Sequence, residues 1–207
     1  MQNKIKINNM EGLVIPDMAL FIRDVSEKGN LGALVSRMID LGIGGILTLG
    51  WWNLKNLTHL VKMEFAYGVL LLVQTELIKL KDEKADYILI SDQITDLSVA
   101  LKTNVILESS IKIIKKIRPT IKVGVMTNNF VRAVSQFYEW GLMTDLVVTP
   151  INSYGYEMNP NQTEVEELIK MNDKNKIAAL TTGNKVKERE YLKRLGIKNQ
   201  AWVNGDF

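Results

Sequence analysis

The sequence predicts a (β/α)8 TIM-type barrel that occupies residues 1–207 as a single α/β domain. Short apolar runs alternate with helical segments along the chain of 207 residues, and this alternation implies parallel strands joined by crossover helices. The chain contains about eight such units, the number that a closed barrel requires. The alternative is an open doubly wound parallel sheet. The barrel is favoured because an open sheet of this size usually has fewer strands, and because no Gly-x-Gly-x-x-Gly motif follows the first predicted strand.

The N-terminal region supplies the first two predicted barrel strands. Residues 1–17 form an approach segment in which 13–15 would be a short edge strand or a plug at the bottom of the barrel. Residues 18–22 are a short apolar run bounded by turn signals, which is typical of a buried strand. Apolar residues then recur at helical spacing up to Gly42, and residues 44–49 are the second predicted strand.

Residues 68–73 allow two interpretations. This apolar run, Gly-Val-Leu-Leu-Leu-Val, would be a buried strand or the middle of one long helix, because periodicity cannot assign so short a run. Gly68 at its start and the length of the surrounding segment favour the strand.

The second half of the chain has the most regular alternation. Strands are expected at 86–90, 104–107, 121–126, 146–148, 177–180 and 201–203. Helices are expected at 94–101, 111–117, 130–140, from about 163, and at 185–195. Gly141 and Gly196 are placed to end two of these helices, as glycine commonly does.

The run 145–159 carries a resemblance to a known group of proteins. After a short strand it contains Thr149-Pro150, Asn152, Gly155, Met158 and Asn159. It resembles a segment of uncharacterised archaeal proteins of the TIM-barrel type, over about the last third of the chain. The resemblance implies a barrel fold and no particular activity.

Composition narrows the chemistry that the chain could perform. The absence of cysteine and the single histidine, His59, exclude disulfides and iron–sulfur clusters and argue against zinc hydrolysis. Nothing in the sequence indicates NAD or haem. The net charge of +3, the lack of a signal-peptide core and the shortness of the apolar runs predict a cytoplasmic protein that does not enter membranes. Binding of nucleic acid is not expected from so small a basic excess.

Three carboxylates and an arginine follow predicted strands, and they are the candidate catalytic residues: Arg23, Asp24, Asp92 and Glu108. In a TIM barrel the carboxyl ends of the strands converge on one face. Carboxylates gathered there could perform acid–base chemistry, because mutual repulsion raises one pKa. They could instead hold Mg²⁺ through oxygen ligands, although no residue is assigned as a metal ligand. The alternative is that they cap the following helices or pair with Arg23.

Small polar residues at other strand ends are the candidate ligand-binding residues: Thr127, Asn128, Asn129, Asn152, Thr181, Thr182, Gly183 and Asn184. The turn 181–184 is the best candidate phosphate site, because small side chains let backbone N–H groups and a helix N-terminus face an anion. Residues 127–129 offer a second such turn. Ordinary strand–helix turns also require residues of these types.

These patterns predict an enzyme, a lyase or an isomerase, that acts on a small anionic or phosphorylated metabolite at the carboxyl-terminal face of the barrel. The alternative is a catalytically inactive barrel that senses or binds a small molecule. The adjacent Trp51 and Trp52 would form a lid, a pocket wall or the contact of a homo-oligomer.

Overall fold

The computed structural model describes residues 4–53, 65–80, 82–181 and 185–203. Within these ranges seven strands close into a barrel in the order of the sequence. They are β1 (Lys4–Ile7), β2 (Met10–Ile15), β3 (Tyr87–Ile90), β4 (Lys122–Met126), β5 (Leu146–Pro150), β6 (Ile177–Leu180) and β7 (Asn199–Val203). Neighbours from β2 to β7 are parallel, whereas β1 is antiparallel to both β2 and β7. The predicted (β/α)8 TIM-type barrel is therefore wrong, and so is the open sheet.

The antiparallel β1 closes the barrel. It is joined to β2 by a two-residue turn at 8–9, in which Asn8 has a positive φ of 54°, and so short a turn can only join antiparallel strands. On its other side β1 pairs with β7, and the Asn8 side chain donates to Asn199 Oδ1 at 3.1 Å. Residues 4–15 are thus a structural hairpin and not an approach segment.

The interior of the barrel is narrow and apolar. Its core consists of Ile5, Ile7, Tyr87, Leu89, Leu146, Val148, Ala178 and Ala201. Two glycines give these side chains room. A Cβ on Gly12 would lie 2.9 Å from Ile5 Cγ2, and one on Gly124 would lie 2.6 Å from Leu89 Cδ2. Seven strands enclose less space than eight, so small residues on the inner surface are a condition of closure.

Eight helical segments within the described ranges surround the strands, and the first of them is two helices that meet at a kink at Gly29 (φ 73°). They are α1 (Met18–Ile39), α2 (Gly42–Asn53), α3 (Phe65–Lys79), α4 (Asp92–Ala100), α5 (Val105–Ile117), α6 (Phe130–Trp140), α7 (Gln162–Met171) and α8 (Lys185–Leu195). The outward faces of the strands and the inward faces of the helices form the larger of the two cores. None of the helices in these ranges combines the length and the apolar character needed to span a bilayer.

Four predicted strands are helical. Residues 18–22 begin α1, 44–49 lie in α2, 68–73 lie in α3 and 104–107 overlap the start of α5. In α3 every residue from Val69 to Leu77 is buried, so the apolar run has no polar face and looks like a buried strand. The described part of the crossover from β2 to β3 therefore carries α1, α2 and α3, where strands at 18–22, 44–49 and 68–73 and a helix ending at Gly42 were expected.

Candidate functional site

The carboxyl ends of β2 to β7 lie at one end of the barrel because these six strands are parallel. The polar residues that follow them are brought together there by the strand register. Ser91 N donates to Ile15 O at 2.8 Å and Thr127 N donates to Val148 O at 3.0 Å, so the ladder continues one residue past β3 and β4. This end of the barrel is called the strand-end face below.

Asp96 on α4 is bound by the turn that follows β4. One of its carboxylate oxygens accepts from the Thr127 hydroxyl, and the other accepts from the backbone N–H of Asn128 at 3.0 Å. Thr127 is buried, and its hydroxyl also accepts from Asn129 N at 3.0 Å. Asp96 therefore fixes the position of the turn 127–129 against α4.

Asp92 lies one helical turn before Asp96, on the same side of α4. Its Oδ2 accepts from the side-chain amide of Asn128 at 2.7 Å. The backbone carbonyl of Asn128 in turn accepts from Asn159 Nδ2 at 2.9 Å. Asn128 thus joins α4 to the loop that follows β5, and it holds the partly exposed Asp92 carboxylate in one orientation.

Burial raises the pKa of Asp96 above that of an ordinary aspartate. The hydrogen bonds from Thr127 and Asn128 oppose this shift, and the negative charge of Asp92 adds to it. Within the described part of the chain, no lysine, arginine or histidine makes an ion pair with either carboxylate. Two carboxylates whose environments differ in this way are a common basis of acid–base catalysis.

Among the described residues, the mouth of the barrel carries three apolar side chains and the hydroxyl of Ser91. Val14, Met126 and Leu180 are partly exposed above the interior core. Ser91 follows Tyr87 and Leu89 on the inward side of β3, as strand alternation requires. Its Oγ is buried, and among the described residues no hydrogen-bond partner for it is present. A buried hydroxyl without a partner is costly, so a ligand atom at this position would gain a ready hydrogen bond.

The loop from 151 to 161 crosses the strand-end face towards α8, and Asn152 holds it in shape. The side chain of Asn152 accepts from Tyr154 N and Tyr156 N and donates to Tyr156 O at 2.6 Å. Ser153 donates from both its backbone and its hydroxyl to the buried carboxylate of Glu188 on α8. The polar atoms of Asn152 are therefore used within the loop itself.

Arg23, Asp24 and Glu108 are not at strand ends. Because 18–22 and 104–107 are helical, Arg23 and Asp24 lie in α1 and Glu108 lies in the first turn of α5. Glu108 accepts from Lys112 at 2.6 Å and from Asn104 at 3.2 Å. These corrections leave Asp92 as the one predicted catalytic carboxylate that follows a strand.

Asp24 belongs instead to a buried ion cluster that the sequence did not indicate. The Arg37 guanidinium lies 3.4 Å from Asp24 Oδ2 and 2.6 Å from Glu76 Oε1, and it donates to Asp17 O at 3.3 Å. Burial raises the pKa of Glu76, and the charge of Arg37 opposes that shift. The cluster joins α1 to α3 through residues that lie 39 positions apart.

The predicted phosphate turn falls mostly outside the described residues. Of its members only Thr181 is described, and its N–H donates to Ala201 O at 3.4 Å. Thr182, Gly183 and Asn184, like His59, lie outside the described ranges. Among the described residues no group of three histidine, aspartate or glutamate side chains could hold a metal ion, so Mg²⁺ stays a prediction.

The structure thus brings together Asp92, Thr127 and Asn128 from the predicted set, with Asn129 as the residue that caps α6. It adds Asp96, Ser91 and Asn159. Asp96 was missed because it lies inside a helix, although its spacing of four residues from Asp92 is a usable signal. Comparisons of this chain with protein-family models, with curated proteins and with solved structures find no match. The interpretation of the site therefore rests on its geometry.

Proposed function

We propose that the protein is an enzyme of the lyase or isomerase type that acts on a small anionic metabolite at the strand-end face. The observation that carries the proposal is the pair of partly buried carboxylates on α4, Asp92 and Asp96, which follow β3 and are held by the turn after β4 without a described cation beside them. The apolar mouth of the barrel and the buried Ser91 hydroxyl would hold the carbon skeleton next to this pair.

Asp92 is proposed to transfer the proton. Asn128 orients its carboxylate, and the N-terminus of α4 favours negative charge at this position. In an isomerisation, Asp92 would accept a proton from one carbon of the substrate and return it to a neighbouring carbon, so no net proton or electron pair is consumed. Asp96 acts through Thr127 and Asn128 as a positioning residue, since both of its oxygens already accept hydrogen bonds.

The anionic group of the substrate is proposed to lie at residues 181–184. Of these, the described Thr181 follows β6, two strands from β4 and so roughly 10 Å away at about 4.8 Å per strand. That separation would keep the anion apart from the carboxylate of Asp92 and would suit a metabolite of a few carbons. Backbone N–H groups ahead of α8 would supply the hydrogen bonds.

The proposal is tested by a screen followed by an exchange experiment. Thermal shift with a panel of small phosphorylated and carboxylated metabolites, with and without MgCl₂, identifies ligands. Hits are then incubated with the protein in D₂O, and ¹H NMR follows the loss of C–H signals that proton abstraction causes. Asp92→Asn should slow the exchange ~10²- to 10⁴-fold, as expected for loss of a general base.

The matched control is Glu108→Gln, which removes a carboxylate on α5 that is paired with Lys112. It should leave the exchange rate unchanged. Full activity of Asp92→Asn, or a loss of activity in Glu108→Gln as large as in Asp92→Asn, would contradict the assignment.

A binding module without catalysis is the second candidate. It is favoured by the amide and hydroxyl groups of Asn128, Asn159 and Ser91, and by the complete use of Asp96 within the protein. In that case a hit would raise the melting temperature and lose no C–H signal in D₂O. Asn128→Ala would then weaken binding, while Asp92→Asn would leave exchange at the rate of the free ligand.

A further inference from the structure

A surface rich in exposed apolar side chains lies on the helices between β2 and β3. Of the fourteen large apolar side chains that are exposed among the described residues, six fall within 35–51, in α1 and α2, where the exposed charge of Asp40 is paired with Lys79 at 3.7 Å. They are Val35, Ile39, Ile43, Ile46, Leu47 and Trp51, with exposed fractions between 38% and 81%. These six residues are called the α1–α2 patch below.

Helix α2 presents these side chains on one side. Ile43, Leu47 and Trp51 are spaced four residues apart, and Ile46 lies beside them, so they form a stripe along the helix. The twelve residues of α2, Gly-Ile-Gly-Gly-Ile-Leu-Thr-Leu-Gly-Trp-Trp-Asn, include no charged side chain. A Cβ on Gly50 would meet nothing within 4 Å, so a second helix could approach closely at that point.

We propose that the α1–α2 patch is the interface of a homodimer in which two copies of this chain pair their α2 helices. The size of the patch fits this use. With about 150 to 250 Å² for a large side chain, the exposed parts of the six residues amount to roughly 700 Å². A stable interface buries about 800 Å² on each partner. Scattered apolar residues on a monomer rarely form so large a continuous area.

The chemistry of the patch selects a second copy over other partners. A charge-free surface is complementary to another charge-free surface, and every copy of the chain carries one. A twofold axis then sets the same residues against each other. A membrane surface is disfavoured, because helices that lie on membranes carry lysine or arginine on their polar side and α2 has neither.

Antiparallel pairing about a twofold axis fixes which residues meet. Leu47 is halfway between Ile43 and Trp51, so the axis would pass near Leu47. Ile43 of each copy would then pack against Trp51 of the other. This arrangement concentrates an aromatic anchor and two aliphatic side chains at the centre of the interface, where binding energy is usually concentrated.

The first test is the mass of the full chain in solution, measured by sedimentation over a range of concentrations. The wild type should be dimeric, and Ile43→Glu with Leu47→Glu should raise the dissociation constant at least ~100-fold, because four like charges would be buried together. The control is Tyr138→Glu with Met171→Glu. It changes the charge equally at two exposed apolar residues outside the patch and should stay dimeric. Circular dichroism checks that both variants fold.

The second test uses the absence of cysteine from the chain. Leu47→Cys, oxidised with diamide, should form a disulfide between copies rapidly, because the two thiols face each other across the axis. Tyr138→Cys should form the disulfide slowly.

A monomeric wild type at ~100 µM, well above the dissociation constant expected for an interface of this size, would overturn the proposal. A dimer unaffected by the patch variant would also overturn it, as would binding of the monomer to vesicles of phosphatidylcholine and phosphatidylserine. These outcomes are independent of the proposed enzymatic activity.

Discussion

Two clusters of buried or half-buried carboxylates, one on helices before β3 in the chain and one on the helix after it, differ in how their charge is balanced. Asp24 and Glu76 lie on α1 and α3 and share the guanidinium of Arg37. Asp92 and Asp96 lie on α4 and contact only hydroxyl, amide and backbone groups of Thr127 and Asn128 among the described residues.

This difference in charge balance indicates that the two clusters have different roles. A buried carboxylate that is paired with an arginine joins two helices through that ion pair, and the guanidinium occupies its oxygens. A carboxylate that is held by neutral donors can change its protonation state at a smaller electrostatic cost, and this property is what a proton-transfer site needs. We therefore assign the first cluster to stability and the second to function.

The largest effect is expected when the cation of the first cluster is removed. Arg37→Met should lower the free energy of unfolding by about 3–5 kcal/mol, because Asp24 and Glu76 remain largely buried without the guanidinium that pairs with both of them. Adding Glu76→Gln should restore part of this loss. Urea denaturation measures both effects. The control is Arg194→Met, whose exposed ion pair with Glu166 at 3.8 Å should contribute less than about 1 kcal/mol. Equal decreases in the free energy of unfolding for Arg37→Met and Arg194→Met would contradict the assignment of the Arg37 cluster to stability.

A smaller effect is expected in the second cluster. Thr127→Val removes the hydroxyl that donates to Asp96 and accepts from Asn129 N. The free energy of unfolding should fall by about 1–3 kcal/mol, since two buried polar groups lose their partner. Thr163→Val, at an exposed position on α7, serves as the control and should change stability by less than about 0.5 kcal/mol. A loss as large as that of Arg37→Met would indicate that the second cluster is also mainly structural.

The pH dependence of stability should separate Asp96 from other carboxylates. Its raised pKa in the folded chain means that the folded state binds the proton more tightly than the unfolded state does. The stability that Asp96 contributes is therefore fully present below its unfolded pKa, about 4, and is lost as the pH rises through its folded pKa. The Asp96→Asn variant has no carboxyl at this position and therefore cannot lose this contribution to stability. The stability of Asp96→Asn relative to wild type should increase as the pH is raised from about 4 to 7; a decrease over this window would show the opposite pKa shift.

The smallest effect is expected at Glu108, which the sequence placed among the catalytic residues. Its ion pair with Lys112 is exposed and spans one turn of α5. Lys112→Ala should cost about 0.3–0.5 kcal/mol by urea denaturation, and 1 M NaCl should remove most of the difference. A cost above about 2 kcal/mol would show that Glu108 has a larger role than an exposed pair allows.

The sequence predicted the second half of the fold better than the first. The strands at β3, β4, β5, β6 and β7 were expected near their observed positions, because each apolar run is short and is followed by turn residues. The strand predicted at residues 68–73 was wrong, because α3 is buried on all sides there and the run shows no helical periodicity. The hairpin β1–β2 was predicted only in part. Residues 13–15, expected as a short edge strand or a plug, lie in β2, whereas β1 was not expected, and its pairing with β7, almost 200 residues away, leaves no local signal.

The site was predicted in part for the same reason. Asp92, Thr127 and Asn128 directly follow the two strands that were assigned correctly, and parallel pairing brings their ends together. Arg37 was missed because its partners Asp24 and Glu76 come from other turns and another helix. No local pattern relates a buried arginine to carboxylates at that distance along the chain.

The central claim is that no cation among the described residues balances the carboxylates at the strand-end face. A titration of the aspartate side-chain carboxyl carbons by ¹³C NMR on the full chain tests it most directly. Asp96 should titrate at a higher pH than an ordinary aspartate, about 4, and its midpoint should fall in Asp92→Asn, because one neighbouring negative charge is removed. A midpoint at or below that of an ordinary aspartate, unchanged by Asp92→Asn, would contradict the claim.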